Sequence, residues 1–81
     1  MACIADVKAA LLARAATRGP NKSFCPSETA RELWPGDWRD HMDEVRAAAA
    51  QLVSAGELAC TQGGAPADPV TTPGPIRLSQ A

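Results

Sequence analysis

Apolar residues recur at helical spacing near the start of the chain. Ile4, Val7 and Leu11 lie three and four apart, with alanines between them, which predicts a helix over residues 3–18. Arg14 and Arg18 fall in its last turns, where a positive charge suits the negative end of the helix dipole. Gly19 and Pro20 stop it. Residues 22–25 read as a short extended segment that turns Phe24 inward. Pro26-Ser27-Glu28 opens a second helix, with Ser27 as the expected cap, and this helix is closed after Trp34 by Pro35-Gly36. Asp37 is placed to cap a third helix running from Trp38 to Ala55, with Gly56 just beyond its end. Trp38, Met42, Val45, Ala49 and Leu52 form a narrow stripe on that helix.

Beyond Gly56 the period changes to two. Leu58 to Gln62 and Ile76 to Leu78 alternate apolar with polar residues and read as paired strands. The segment 63–74 between them carries Pro66, Pro69 and Pro73, which cannot donate to a ladder, and opens on Gly63-Gly64. It is expected to be a mobile loop or wing. The order is helix, short strand, short helix, long helix, strand, loop, strand. This predicts a mainly α fold with a small β-hairpin, winged-helix-like, with three helices and a two- or three-stranded antiparallel sheet. One domain is expected over residues 1–81. The expected core is Ile4, Val7, Leu11, Phe24, Leu33, Trp38, Met42, Val45, Ala49, Leu52, Leu58, Ile76 and Leu78.

Composition narrows what such a domain can do. Of 81 residues, 17 are alanine, clustered in the first and third helices, so the larger apolar side chains fill one thin core and no deep cavity. Eight basic residues against nine acidic ones give a net charge of −1, without the strongly basic balance of many nucleic-acid-binding domains. No apolar run is long enough to span a bilayer. Asp6 and Lys8 interrupt the place where a signal peptide would need its apolar centre, so a cytoplasmic protein is expected. Cys3, Cys25 and Cys60 are odd in number and far apart, which is no disulfide framework.

Several blocks in this chain resemble a family of short bacterial proteins known only as a domain of unknown function. They are Ser-Phe-Cys-Pro-Ser-Glu at Ser23 to Glu28, followed by Ala30 and Arg31, and Trp38-Arg39 at the head of the long helix. Met42, Val45, Arg46, Ala49, Leu52 and Gly56 follow at the family's spacing, then Asp68-Pro69 and Gly-Pro-Ile-Arg-Leu at Gly74 to Leu78. The resemblance covers residues 4–78 and implies a winged-helix-like fold. It implies no activity. One departure concerns the wing: the family often carries a basic residue after the strand-ending Gln, and here that place is Gly63.

In a helix-turn-helix the outward face of the second helix of the pair enters the major groove. That face here carries Asp40, Asp43, Glu44, Ala47, Gln51 and Ser54. Arg39 and Arg46 flank it, each with Asp43 within helical reach. Lys22, Ser27 and Arg31 are further candidates for phosphate contact, and Gln51 for a base edge. So few contacts predict weak, salt-dependent binding to duplex DNA. The leading expectation is a non-catalytic nucleic-acid-binding or regulatory module. The alternative is a protein-interaction module using Asp40, Asp43 and Glu44 on the acidic face together with Trp34 and the turn to Trp38.

Other chemistry has less support. Cys3, Cys25, Cys60 and His41 show no metal-ligand spacing, so no metal and no cofactor are expected. Cys25 precedes a helix and Cys60 lies in a strand, and both read as small buried hydrophobes. His41 has Asp40 and Asp43 nearby, but adjacent helical positions do not face each other, so no acid–base pair results and no enzyme is expected. No small-molecule substrate and no membrane partner are evident. Arg77 lies opposite Ile76 and Leu78, facing an acid or a ligand phosphate.

Overall fold

The computed structural model describes residues 3–81; Met1 and Ala2, the first two of the expected domain, lie outside the described residues. The elements are α1 (Ile4–Arg18), β1 (Ser23–Phe24), α2 (Pro26–Leu33), a 3₁₀ turn (Trp38–His41), α3 (Met42–Ser54), β2 (Leu58–Gln62), β3 (Ala65–Pro66) and β4 (Arg77–Gln80). Three helices therefore pack with one antiparallel sheet in the order β1-β4-β2-β3, a winged-helix-like arrangement.

The sheet has one apolar face. Phe24 on β1, Leu78 on β4 and Cys60 on β2 lie in one row across three strands, and all are buried. Side chains alternate along a strand, so Leu58 joins the same face, while Ser23, Ser79 and Ala59 line the other. The helices meet this face with Val7, Leu11 and Ala15 from α1, Ala30 from α2, and Val45, Ala48, Ala49 and Leu52 from α3. Alanines at the contacts let the helices approach closely.

Three expected core residues, Leu33, Trp38 and Met42, are half-buried at its rim, and Ile4 is 48% exposed. Ile4 has the right helical angle but sits in the first turn of α1, past the packed layer. Ala15, Ala30, Ala48 and Cys60 take buried places instead.

The helix ends depart from expectation in an orderly way. Cys25, not Ser27, is the N-cap of α2; Pro26 is its first residue, and the Glu28 carboxylate accepts the Cys25 amide at 2.9 Å. Asp6 does the same for Cys3 at the start of α1, at 3.1 Å. These are capping boxes with cysteine in the serine place. Proline suits the first helical position because its missing N–H has no partner there, which shifts the cap one residue earlier. The third helix is also shorter than expected. Residues 38–41 wind as a 3₁₀ turn, and the Asp37 carboxylate serves His41 instead of capping the backbone. At the far end, Gly56 (φ +77°) lets its own amide reach the Val53 carbonyl at 3.0 Å and that of Glu57 reach Leu52 at 2.9 Å. This is the paired closure that a left-handed residue after a helix permits.

The segment after β2 is tied down where a mobile loop was expected. Gly63 and Gly64, both at positive φ, close a two-residue hairpin to β3 with Gln62 opposite Ala65. Asp68 Oδ1 accepts the amides of Val70 (2.8 Å) and Thr71 (3.1 Å). Gln62 Nε2 donates to the carbonyls of Pro73 (2.7 Å) and Pro75 (3.0 Å). The prolines remove donors, and side chains reach their carbonyls instead. No helix among the described residues is long and apolar enough to cross a membrane.

Candidate interaction surface

Several of the residues expected to contact nucleic acid have partners within the fold. Arg46, on the flank of α3, is half-buried beneath the wing. Its Nη1 donates to the carbonyls of Thr72 (2.9 Å) and Pro69 (3.3 Å), and its Nη2 to that of Gly74 (2.6 Å). The fork clasps three turns of a chain that has few donors of its own. It is spent on folding, and no ion pair to Asp43 forms among the described residues. Gln51 accepts the Lys8 ammonium of α1 at 3.1 Å, joining two helices. Ser27 donates to Cys25 Sγ at 3.1 Å. Arg77, itself exposed, crosses from β4 to β1 and donates to Ser23, from Nε to Oγ at 3.2 Å and from Nη2 to the carbonyl at 3.0 Å, so its fork is held by a strand and not by an acid.

Arg14 and Arg18 at the end of α1 are also engaged. Both pair with Glu28, and Arg14 additionally holds Glu32 at 2.6 Å, stapling α1 to α2. Burial raises the Glu28 carboxyl, but the Cys25 amide and the charges of Arg18 and Arg14 outweigh it and hold the group below its ordinary range.

The connection between α2 and α3 concentrates the remaining aromatic and charged groups. The His41 ring stacks on Trp34, centroids 4.0 Å apart and planes 6° from parallel. Its Nδ1 meets Glu44 at 2.8 Å and its Nε2 meets Asp37 at 3.1 Å. A neutral imidazole has one N–H, so two carboxylate partners favour the doubly protonated ring. Hydrogen bonding to Glu44 is the largest effect and raises the His41 pKa; burial opposes it, and hydrogen bonding to Asp37 with the charges of both acids completes the rise. The relevant acids stand at i−4 and i+3, a spacing visible in the sequence, while the nearer Asp40 and Asp43 stay exposed on the outer side. Next to this stack, the Trp38 ring carries two guanidinium groups, Arg31 at 4.4 Å and Arg39 at 4.7 Å from its centroid.

The outer side of α3 is acidic. Asp43 and Glu44 are exposed on its first turn, with Asp40 just before them and Ala47 one turn on. No basic residue occurs between Arg46 and Arg77, so the wing adds none. The three cysteines are free thiols: Cys3 is exposed, Cys25 half-buried and Cys60 buried. Strand β4 lies between β1 and β2 and keeps Cys25 apart from Cys60, whose thiol is pushed up by burial. Among the described residues, no three His, Cys, Asp or Glu side chains gather as a metal-ligand set.

A family model described as a protein of unknown function, DUF3253, matches residues 5–81. The chain therefore belongs to that family. No curated protein matches it.

Proposed function

We propose that this chain is a small, non-catalytic, cytoplasmic bacterial module that docks a protein partner. The surface used is the α2–α3 corner together with the acidic outer side of α3. One observation carries this reading. Arg46, the base best placed to bring α3 to a phosphate, is consumed by the wing carbonyls, so the exposed charged groups of that face are Asp40, Asp43 and Glu44. Such a face repels a phosphate backbone and attracts a basic segment. Half-buried Trp34 and Trp38 beside it supply the aromatic area that protein interfaces favour.

The test is capture of a partner by the wild-type chain against Asp40→Asn/Asp43→Asn. These two acids have no side-chain partner among the described residues, so their removal leaves the fold unchanged. A partner lost in the double variant supports the reading, and one retained at wild-type strength overturns it.

A second reading keeps nucleic acid. Lys22, Arg31 and Arg39 have no oxygen acceptor among the described residues, and Arg31 lies on the first helix of the helix-turn-helix pair, which crosses the backbone in such complexes. This version requires a gel shift with duplex DNA at low ionic strength, with a salt slope corresponding to about two or three phosphates. A complex that survives physiological salt unchanged would also contradict it.

A further inference from the structure

Five of the eight lysines and arginines have an oxygen partner among the described residues, and Lys22, Arg31 and Arg39 have none. Lys8 is taken by Gln51, Arg14 and Arg18 by Glu28 and Glu32, Arg46 by three carbonyls and Arg77 by Ser23. Arg31 and Arg39 are exceptions that converge. They come from different elements, the last turn of α2 and the 3₁₀ turn, yet both guanidinium groups meet the indole of Trp38. The two distances to one centroid place the guanidinium carbons within about 9 Å of each other. Stacking on an aromatic ring occupies the flat face of a guanidinium and leaves its edge, with all the N–H donors, unused. Trp38 is half-buried against the core, so it is a fixed platform that holds two flexible side chains at one place. Two forks held in this way are what a tetrahedral oxyanion needs for charge-assisted bonds on two sides.

From this juxtaposition we infer that Arg31 and Arg39, held on Trp38, form a binding site for an isolated phosphate group of the monoester type. The surroundings select the form of the anion. Asp37, Asp40 and Asp43 lie within one or two turns, so the successive charges of a polyanion meet acids as soon as they leave the two arginines. A lone dianion carried on a neutral or basic segment meets only the forks, and bases beside it would face Asp40 and Asp43. The site does not depend on the acidic-face reading: it shares Trp38 with that surface but binds through Arg31 and Arg39, not through Asp40, Asp43 and Glu44.

The experiment follows the Trp38 indole N–H by NMR in the full chain at constant ionic strength. The probes are inorganic phosphate, a short lysine-flanked phosphoserine peptide, its unphosphorylated twin and a single-stranded oligonucleotide. Saturable shifts with the phosphorylated peptide but not its twin are expected, weakened about tenfold by either Arg31→Gln or Arg39→Gln, the scale of losing one charge-assisted contact. Arg→Lys at either position keeps charge but loses the stacked fork, and an intermediate affinity is expected. Comparable binding of inorganic phosphate alone also supports the site and identifies a free small phosphate as its source. Three results overturn it: no phosphate-dependent shift, shifts unaffected by both glutamine variants, or tighter binding of the oligonucleotide through the same two arginines. Asp40→Asn/Asp43→Asn should leave binding of inorganic phosphate intact or strengthened, so failure of the acidic-face reading and failure of this one are separable.

Discussion

His41 lies ring on ring with Trp34, 4.0 Å between centroids, and this pair joins the end of α2 to the start of α3. The contact is held from both edges of the imidazole by Glu44 and Asp37. Because each edge faces a carboxylate, the arrangement is complete only when both ring nitrogens carry protons.

The pH dependence follows from that. The folded-state pKa of His41 is raised above its unfolded value of about 6.5. A raised value means that the folded chain holds the proton more tightly, so the contribution to stability is full below the unfolded value. It fades as pH rises through the higher folded one. Urea unfolding of the wild type should therefore weaken between mildly acidic and mildly alkaline pH, and His41→Gln should flatten that change. An NMR titration midpoint for His41 at or below about 6.5 would contradict it.

Arg46 should behave as a structural clamp. Arg46→Ala leaves the carbonyls of Pro69, Thr72 and Gly74 without their donor, with an expected loss of about 1–3 kcal/mol. Arg46→Lys keeps the charge but not the fork and should recover only part of it. Hydrogen exchange of the amides in residues 67–76 is the readout. Protection unchanged in Arg46→Ala would show that the wing is held by other contacts.

Glu28 serves the N-cap amide of α2 and two arginines of α1 at once. Glu28→Gln keeps one acceptor for Cys25 and loses the charge, and a cost of about 0.5–2 kcal/mol is expected, the range of a lost cap. The lowered pKa places its stabilisation above the ordinary carboxylate range, with loss as pH falls through the lowered value. The variant should therefore show a smaller acid destabilisation than the wild type in thermal melts from neutral pH to about pH 3.

Phe24 is fully buried where β1 meets β4, and it is the chain's one phenylalanine. Phe24→Ala should cost about 3–5 kcal/mol, a large share of the stability of so small a domain. Phe24→Leu keeps most of the volume and should remain folded. Circular dichroism with denaturant titration separates the two, and equal midpoints would place Phe24 outside the folding core.

What was legible in the sequence depended on range. Helix stripes and strand alternation are properties of near neighbours, so Val7 with Leu11, and Val45 with Ala49 and Leu52, are visible before folding. The same holds for Gly56, whose place after the last apolar residue marks a helix end. Asp37 and Glu44 around His41 were within reach of the same reasoning, at spacings of four and three. The cap of α2 was misplaced because a serine after proline looks like a cap, while the geometry of Pro26 puts that duty on Cys25.

The sequence by itself therefore determined the three helices, the strands β2 and β4, their order and most of the core, because these follow from local periodicity and from backbone chemistry at Gly and Pro, whereas β3 and the 3₁₀ turn at Trp38–His41 did not show in it. Only the tertiary structure decided what the charged residues are for. Arg46 and Gly74 are 28 positions apart, and Arg77 and Ser23 are 54 apart. No periodicity links such positions, and a guanidinium takes whichever oxygens or ring faces the fold brings to it. That is why, of the bases expected to meet phosphate, Arg46 holds the wing, Arg31 and Arg39 rest on Trp38, and Lys22 has no oxygen acceptor among the described residues.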